Sequence, residues 1–129
     1  INLKIKFREK FRPFAPSILE ENVSEFFEDN VPSPFMEKVV PIREEKRSII
    51  PAVTHVDGSG RLQTVDSRSN PLYYKLIKCF EKITRIPLVL NTSLNENEPI
   101  VCTPEEALKC FLRTKMDVMI LGNYFVERG

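Results

Sequence analysis

Two helix starts constrain this chain more than any other feature: each is a capping residue followed by proline, and each helix leads into a short apolar strand. Asn70-Pro71 opens the first. Asparagine suits the N-cap, and proline suits the first helical position, where a missing N–H costs no hydrogen bond. The spacing of Tyr73, Leu76, Ile77 and Phe80 predicts the buried stripe of that helix. Thr103-Pro104 opens the second, and Glu106, three residues after Thr103, completes a capping box. Ala107, Leu108, Phe111 and Leu112 predict its buried face. Residues 87–90 and 118–121 follow as strands. The repeated order of strand, helix and strand implies an α/β (α+β) fold, a sheet with helices packed on it.

The remaining segments are read from periodicity and punctuation. In residues 1–12, Leu3, Ile5, Phe7 and Phe11 alternate with bases, which is strand parity, yet Leu3, Phe7 and Phe11 also fit one helical stripe. Both readings stay open. Pro13 and Pro16 end that element, residues 14–19 read as extended, and residues 24–29 as a short acidic helix. Residues 36–42 and 49–56 read as strands separated by the charged loop 43–47. The turn Asp57-Gly58-Ser59-Gly60 between apolar runs predicts a hairpin of residues 52–56 with 61–65. In that register Val56 faces Arg61, Thr54 faces Gln63, and Thr54, Arg61 and Gln63 share one side.

Composition narrows the function classes. With 129 residues, 42% hydrophobic and 29% charged, the chain fits one folded domain of ordinary size. A net charge of +1 gives no overall field for nucleic acid or a membrane surface. No apolar run approaches the roughly 18 residues of a membrane span. Cys79, Cys102 and Cys110 are an odd number without a CxxC pair and read as reduced, buried, cytosolic thiols, hence a cytoplasmic protein. Ten prolines against four glycines imply stiff connections. Because Ile1 lies inside an already patterned segment, the chain is expected to be cut from a longer one.

Charge is segregated locally. Residues 1–12 carry five bases against one acid, and residues 20–29 carry five acids and no base. The two runs can simply attract each other as solvated faces. Alternatively, Lys6, Arg8 and Arg12 form an anion site, since arginine forks clamp phosphate or carboxylate and lysine adds a compact charge. At the end of the strand 87–90, Asn91-Thr92-Ser93-Leu94-Asn95 places short polar groups that can hold phosphate or carbonyl oxygens, or merely satisfy a turn. Arg61, just after the tight turn, can reach an anion. His55 is the lone histidine and reads as structural rather than as half of a dyad with Asp57, and a single histidine argues against a histidine-based metal site within this chain.

Taken together, three stretches closely resemble the C-terminal domain of the NodU/CmcH/TobZ carbamoyltransferases. They are Lys6-Phe7-Arg8-Glu9-Lys10-Phe11-Arg12-Pro13-Phe14-Ala15-Pro16-Ser17, residues 51–65 from Pro51-Ala52-Val53-Thr54-His55 to Gln63-Thr64-Val65, and Asn91-Thr92-Ser93-Leu94-Asn95 with Glu98-Pro99-Ile100-Val101-Cys102-Thr103-Pro104. The match is collinear from Lys6 to about Val126. The resemblance implies a YrdC-like twisted mixed sheet, truncated at its N-terminus, in which carbamoyl phosphate and ATP with Mg²⁺ give carbamoyl-adenylate. It further implies an N-terminal actin-like transferase domain in the same polypeptide, holding its own metal and passing the carbamoyl group to a hydroxyl of a sugar, antibiotic or nodulation-factor precursor. By resemblance, Lys6, Arg12, Arg61 and Ser93 serve the reaction, and Arg8, Thr54, Asn91 and Asn95 bind substrate or nucleotide. Lys6/Arg8 and Lys10/Arg12 both match the Lys-x-Arg pattern of YrdC-like proteins.

Two departures stand out. Asn95-Glu96-Asn97-Glu98-Pro99-Ile100 is one residue shorter than the usual pattern and lacks its glycine, so the loop around Asn95 must take another path. A Gly-Pro-Arg segment upstream of the matched region, whose arginine helps bind carbamoyl phosphate, is expected to precede Ile1, and the fragment alone is expected to be inactive. Competing readings are a synthase of the tRNA threonylcarbamoyl-adenylate type, a non-catalytic nucleotide- or RNA-binding module, and a fold that binds nothing.

Overall fold

Two prolines set up the first strand. The Phe14 N–H donates to the Ala52 carbonyl at 3.0 Å, and β1 (Ala15–Leu19) is buried at all five positions. Pro16 has no N–H to give a ladder, and it sits just ahead of Ser17–Leu19, the residues paired with β3. β3 (Ser59–Val65) runs parallel to β1 with Ser17 opposite Gln63. It runs antiparallel to β2 (Lys38–Pro41). β4 (Leu88–Asn91) pairs antiparallel with the other side of β1. The resulting order is β2-β3-β1-β4, a mixed sheet. The computed structural model describes residues 1–129, in two units: Pro13–Thr92, which contains this sheet, and Ile1–Arg12 with Ser93–Gly129.

Alternation along the strands gives the sheet two faces. On one, Ile18, Val40, Leu62 and Leu88 pack with Phe14, Phe26, Phe27, Ile42 and Val53. The short α1 (Val23–Phe26) supplies Val23 and Phe26 to this core. Glycine is needed at position 60, because a Cβ there would lie 2.9 Å from Ile42 Cδ1 and 3.3 Å from Phe27. On the other face, Leu19, Val65 and Val89 pack under α3 (Pro71–Thr84) against Ile77, Tyr73 and Tyr74. Farther along that face, beyond this apolar cluster, alternation places Ser17, Arg61, Gln63 and Asn91.

The second unit is built on α4 (Pro104–Arg113) and the antiparallel pair β5 (Val118–Leu121) and β6 (Tyr124–Glu127). Its core is Ala107, Phe111 and Met119, with Leu94, Val101 and Val126 against it. Thr103 and Glu106 form the full capping box, a device worth about 1 kcal/mol. At the other end of α4, the Arg128 guanidinium donates to the carbonyls of Phe111 and Thr114 and lies 4.9 Å from the centre of the Phe111 ring. It thereby satisfies carbonyls that a helix terminus leaves without partners.

The expected α/β architecture, both capped helices and the strands at 88–91 and 118–121 are present; several local expectations are not. Residues 52–65 do not form a hairpin. Pro51–Val53 winds into a 3-10 turn that buries Val53, and β3 takes its partners from β1 and β2. Core demand on Ile50 and Val53 outweighs their strand propensity. Arg61 therefore pairs with Val39, not Val56, and Thr54 leaves the ribbon, its hydroxyl donating to the Ile50 carbonyl at 3.0 Å. Residues 43–47 contain a helical turn, α2 (Glu44–Arg47), rather than a plain loop. Residues 1–12 are neither strand nor helix but a string of turns, broken at Phe7, whose φ is 45°. On α3 only Ile77 of the predicted stripe is fully buried, while Leu76 and Phe80 are exposed. On α4, Cys110 rather than Leu108 or Leu112 joins the buried face. Cys79 and Cys102 are exposed and only Cys110 is buried, because α3 turns Cys79 outward and Cys102 lies in the loop before α4.

The charge runs find partners within their own units. Glu25 pairs with Lys46 at 2.8 Å, Glu21 with Lys78 at 3.3 Å, and Arg12 with Glu9 at 2.9 Å. Just before α3, Asp66 accepts from the Ser69 hydroxyl and from the backbone N–H groups of Arg68 and Ser69. These bonds, that of Ser69 foremost, lower its pKa to about 2 from 3.8. A depressed carboxyl stabilises the fold above its unfolded pKa and loses that contribution as pH falls through its folded one. The stability difference between the parent chain and Asp66→Asn in urea unfolding is therefore expected at pH 6 and should shrink between about pH 4 and 2. A difference that ignores pH over that window would contradict this account.

Candidate functional site

Within Pro13–Thr92, Ser17, Gln63 and Asn91 on the α3-covered face form one connected network. Ser17, completely buried in β1, donates its hydroxyl to Gln63 Oε1 at 2.8 Å. Asn91, the last residue of β4, donates Nδ2 to Ser17 Oγ at 2.9 Å and to Gln63 Oε1 at 2.7 Å. Gln63 Nε2 in turn donates to the Pro34 carbonyl at 3.0 Å. Three neighbouring strands are thus tied by side chains as well as by their ladders. Arg61 stands two residues from Gln63 on the same face of β3; it is exposed and has no ion pair or hydrogen-bonding partner for its guanidinium. An unpaired fork beside a rigid amide gives one cation and one neutral polar group for a ligand to meet.

The tight turn before β3 is self-contained. Asp57 Oδ1 accepts from the Ser59 N–H at 2.9 Å and from the Ser59 hydroxyl at 2.7 Å, and those bonds hold its carboxyl below the usual range. Ser59 Oγ also lies 3.3 Å from His55 Nδ1. His55 and Asp57 are bridged by Ser59 as parts of a turn. Gly58, at φ 82°, makes that turn possible, and a Cβ there would strike the Arg47 guanidinium at 2.5 Å. Thr54, predicted to bind substrate, serves this neighbourhood through its bond to Ile50.

The other unit gathers Lys6, Ser93 and Asn95. Lys6 is only 4% exposed, and its ammonium faces four oxygens. These are the Ser93 carbonyl at 2.9 Å, Ser93 Oγ at 3.4 Å, and the Asn95 carbonyl and Oδ1, both at 2.7 Å. Burial first, and then the nearby Arg8 charge, push the Lys6 pKa below its ordinary value. Ser93 Oγ donates to Asn95 Oδ1 at 2.6 Å, and Asn95 Nδ2 donates to the Glu98 carbonyl at 2.7 Å. Asn95 is therefore committed at both ends to bracing its own loop. Glu98 is held by Arg113 at 2.5 Å. This is the path the loop takes without the glycine its sequence pattern led one to expect.

Arg8 and Arg12 separate in role. Arg8 Nε donates to Asn2 Oδ1 at 2.8 Å, and burial, followed by the Arg12 charge, lowers its pKa. Arg12 pairs with Glu9 and its side chain remains about half exposed, at 54%. Asn2 Nδ2 donates to the carbonyls of Lys10 and Arg12, so one asparagine organises the basic turn. Sequence reading missed Asn2, Ser17 and Gln63 as organising residues. The available signal was a polar residue, Ser17, within an otherwise apolar strand.

No three His, Cys, Asp or Glu side chains come together, and no helix is long and apolar enough to cross a membrane. A mixed sheet with helices packed on it, one face carrying a braced amide and an unpaired arginine, defines a small α/β domain. The chain belongs to the carbamoyltransferase C-terminus family, which matches residues 1–128. It is 46% identical over 149 residues to an uncharacterised protein of Synechocystis sp.. It is 48% identical over 132 residues to the nodulation protein NolNO of Sinorhizobium fredii and to the nodulation protein NolO of Bradyrhizobium diazoefficiens. Each alignment covers 99% of this chain, but only 24%, 19% and 24% of those relatives. The chain thus spans about a quarter of their length or less.

Proposed function

We propose that this domain binds carbamoyl phosphate and MgATP and supports formation of carbamoyl-adenylate, the activated donor for O-carbamoylation of a hydroxyl. The acceptor would be a sugar, antibiotic or nodulation-factor precursor, and an N-terminal transferase domain of the same polypeptide, with its own metal, would complete the transfer. In balanced form, carbamoyl phosphate and water yield carbamate and phosphate. A carbamate oxygen then attacks the α-phosphorus of ATP, and pyrophosphate leaves. Magnesium enters as part of the nucleotide substrate.

Family membership supports carbamoyl chemistry, and one observation carries the reading to this chain: the unpaired Arg61 guanidinium beside Asn91 and Gln63 on one sheet face. Carbamoyl phosphate presents anionic oxygens and a neutral amide-like end, which calls for that pairing of a cation with a neutral polar group. No side chain need act as a nucleophile, since positioning and charge neutralisation are what phosphoryl chemistry demands of a protein. In the other unit, Arg12 keeps an accessible guanidinium suited to anion oxygens, whereas Lys6 and Ser93 act first on the loop 93–95, where the Ser93 hydroxyl already donates its one proton to Asn95. The test is isotope exchange of pyrophosphate into ATP, dependent on carbamoyl phosphate, in the full-length protein. Exchange is expected. Its absence from a folded protein would end this reading.

A further inference from the structure

The hydrogen-bond chain through Gln63 has only one permitted direction. It starts at the Pro34 carbonyl, which can only accept. Gln63 must therefore turn its amide nitrogen toward Pro34 and its Oε1 toward Ser17 and Asn91, from both of which that oxygen accepts. Rotating the Gln63 amide by half a turn would set oxygen against oxygen at Pro34 and nitrogen against nitrogen at Asn91, losing two bonds and creating two repulsions. Asn91 is fixed as a consequence. Its amide has two hydrogens, and both are used, one on Ser17 Oγ and one on Gln63 Oε1. The atom left over is Asn91 Oδ1, which can only accept.

We propose that Gln63, supported by Ser17, is a positioning residue that locks the Asn91 side chain with its carbonyl oxygen toward the ligand, so that Asn91 reads an N–H donor. This deepens the reading above, on which it rests, and it narrows the role of Asn91, which has no hydrogen left for a phosphate oxygen. The chemical class recognised is a primary amide or amino nitrogen. Each of the two substrates carries one, the carbamoyl NH₂ and the amino group of the adenine ring. Arg61, on the same face, supplies the complementary charge for phosphate. A site built to accept from an N–H discriminates strongly against an analogue without it, because the acceptor that the bound analogue covers is then left unpaired.

Calorimetric titration of the full-length protein with two matched pairs tests this: carbamoyl phosphate against acetyl phosphate, and ATP against purine riboside triphosphate, which lacks the amino group. The parent protein should prefer the amino-bearing member of one pair by about tenfold or more, the effect of one well-placed hydrogen bond. Which pair shows the preference identifies the nitrogen that Asn91 reads. Gln63→Met should bring that ratio toward one while changing the Kd of the amino-free analogue by less than about threefold. Gln63→Glu retains acceptor oxygens and should keep a larger part of the ratio. Ser17→Ala should act in the same direction more mildly, and it serves if Gln63→Met does not fold. The proposal is overturned if the parent protein shows no preference in either pair. Equal weakening of both members by the variants, or a ratio they leave unchanged, overturns it as well. Preference in the nucleotide pair without binding of carbamoyl phosphate would uphold the locked amide and defeat the carbamoyl-activation reading. Binding of carbamoyl phosphate with no preference in either pair would do the reverse.

Discussion

Replacing Arg61 with alanine is expected to reduce carbamoyl-phosphate-dependent pyrophosphate exchange by about 10²–10³-fold, the usual cost of removing one preorganised group that meets developing charge. The side chain is exposed and has no partner in the protein, so its loss removes no packing and breaks no ion pair. Stability in urea should accordingly move by less than about 0.5 kcal/mol. Arg61→Lys restores the charge without the planar fork, and it should recover only part of the rate. The separation of a large kinetic loss from an unchanged unfolding midpoint is the diagnostic result. If Arg61→Ala exchanges pyrophosphate within about threefold of the parent, Arg61 does not meet the substrate and the sheet-face site is wrong.

The largest effect on stability is expected at Phe27. It is completely buried, its N–H donates to the Val23 carbonyl at 2.9 Å, and it forms a bridge with Ile42 at the margin of the main core. Its ring also closes over Gly60, where β3 passes so near that a Cβ would touch it. Phe27→Ala therefore leaves a cavity between rigid backbone segments that cannot readily collapse into it, and should cost about 3–5 kcal/mol. Against a total of about 5–15 kcal/mol for an ordinary domain, that is enough to leave the chain marginal. The urea midpoint should fall steeply with little change in slope. A loss below about 1 kcal/mol would mean that the cluster around Phe27 is not the core of its unit.

Local chemistry made much of the fold legible. Asn70-Pro71 and Thr103-Pro104 begin helices because a cap and a proline act within one turn, whatever the rest of the chain does. The Asp57-Gly58-Ser59 turn was also legible as a turn, but not as the wrong hairpin it suggested. A tight turn reports a reversal of direction; it does not say that the segments it joins will pair. β3 pairs with β1, more than forty positions away, because Leu62 and Ile18 are needed in the same core. In the same way, Leu76 and Phe80 match the helical period, yet the part of the sheet under α3 takes Ile77 with Tyr73 and Tyr74.

The candidate site divides along the same line. The sequence alone determined which residues can do chemistry: the arginines at 8, 12 and 61, Lys6, and the amides and hydroxyls of residues 91–95. Residue type sets charge and hydrogen-bonding capacity, and these need no fold to be known. Tertiary structure decided which of those groups remain for a ligand. Lys6 and Asn95 are drawn into one loop by each other's oxygens and protons. Arg61 is left unpaired, and Asn91 keeps only an acceptor because Pro34, Gln63 and Ser17, scattered along the sequence, use its protons through a chain of fixed direction. A side chain's capacity is a local property, but its vacancy depends on every neighbour the fold brings to it.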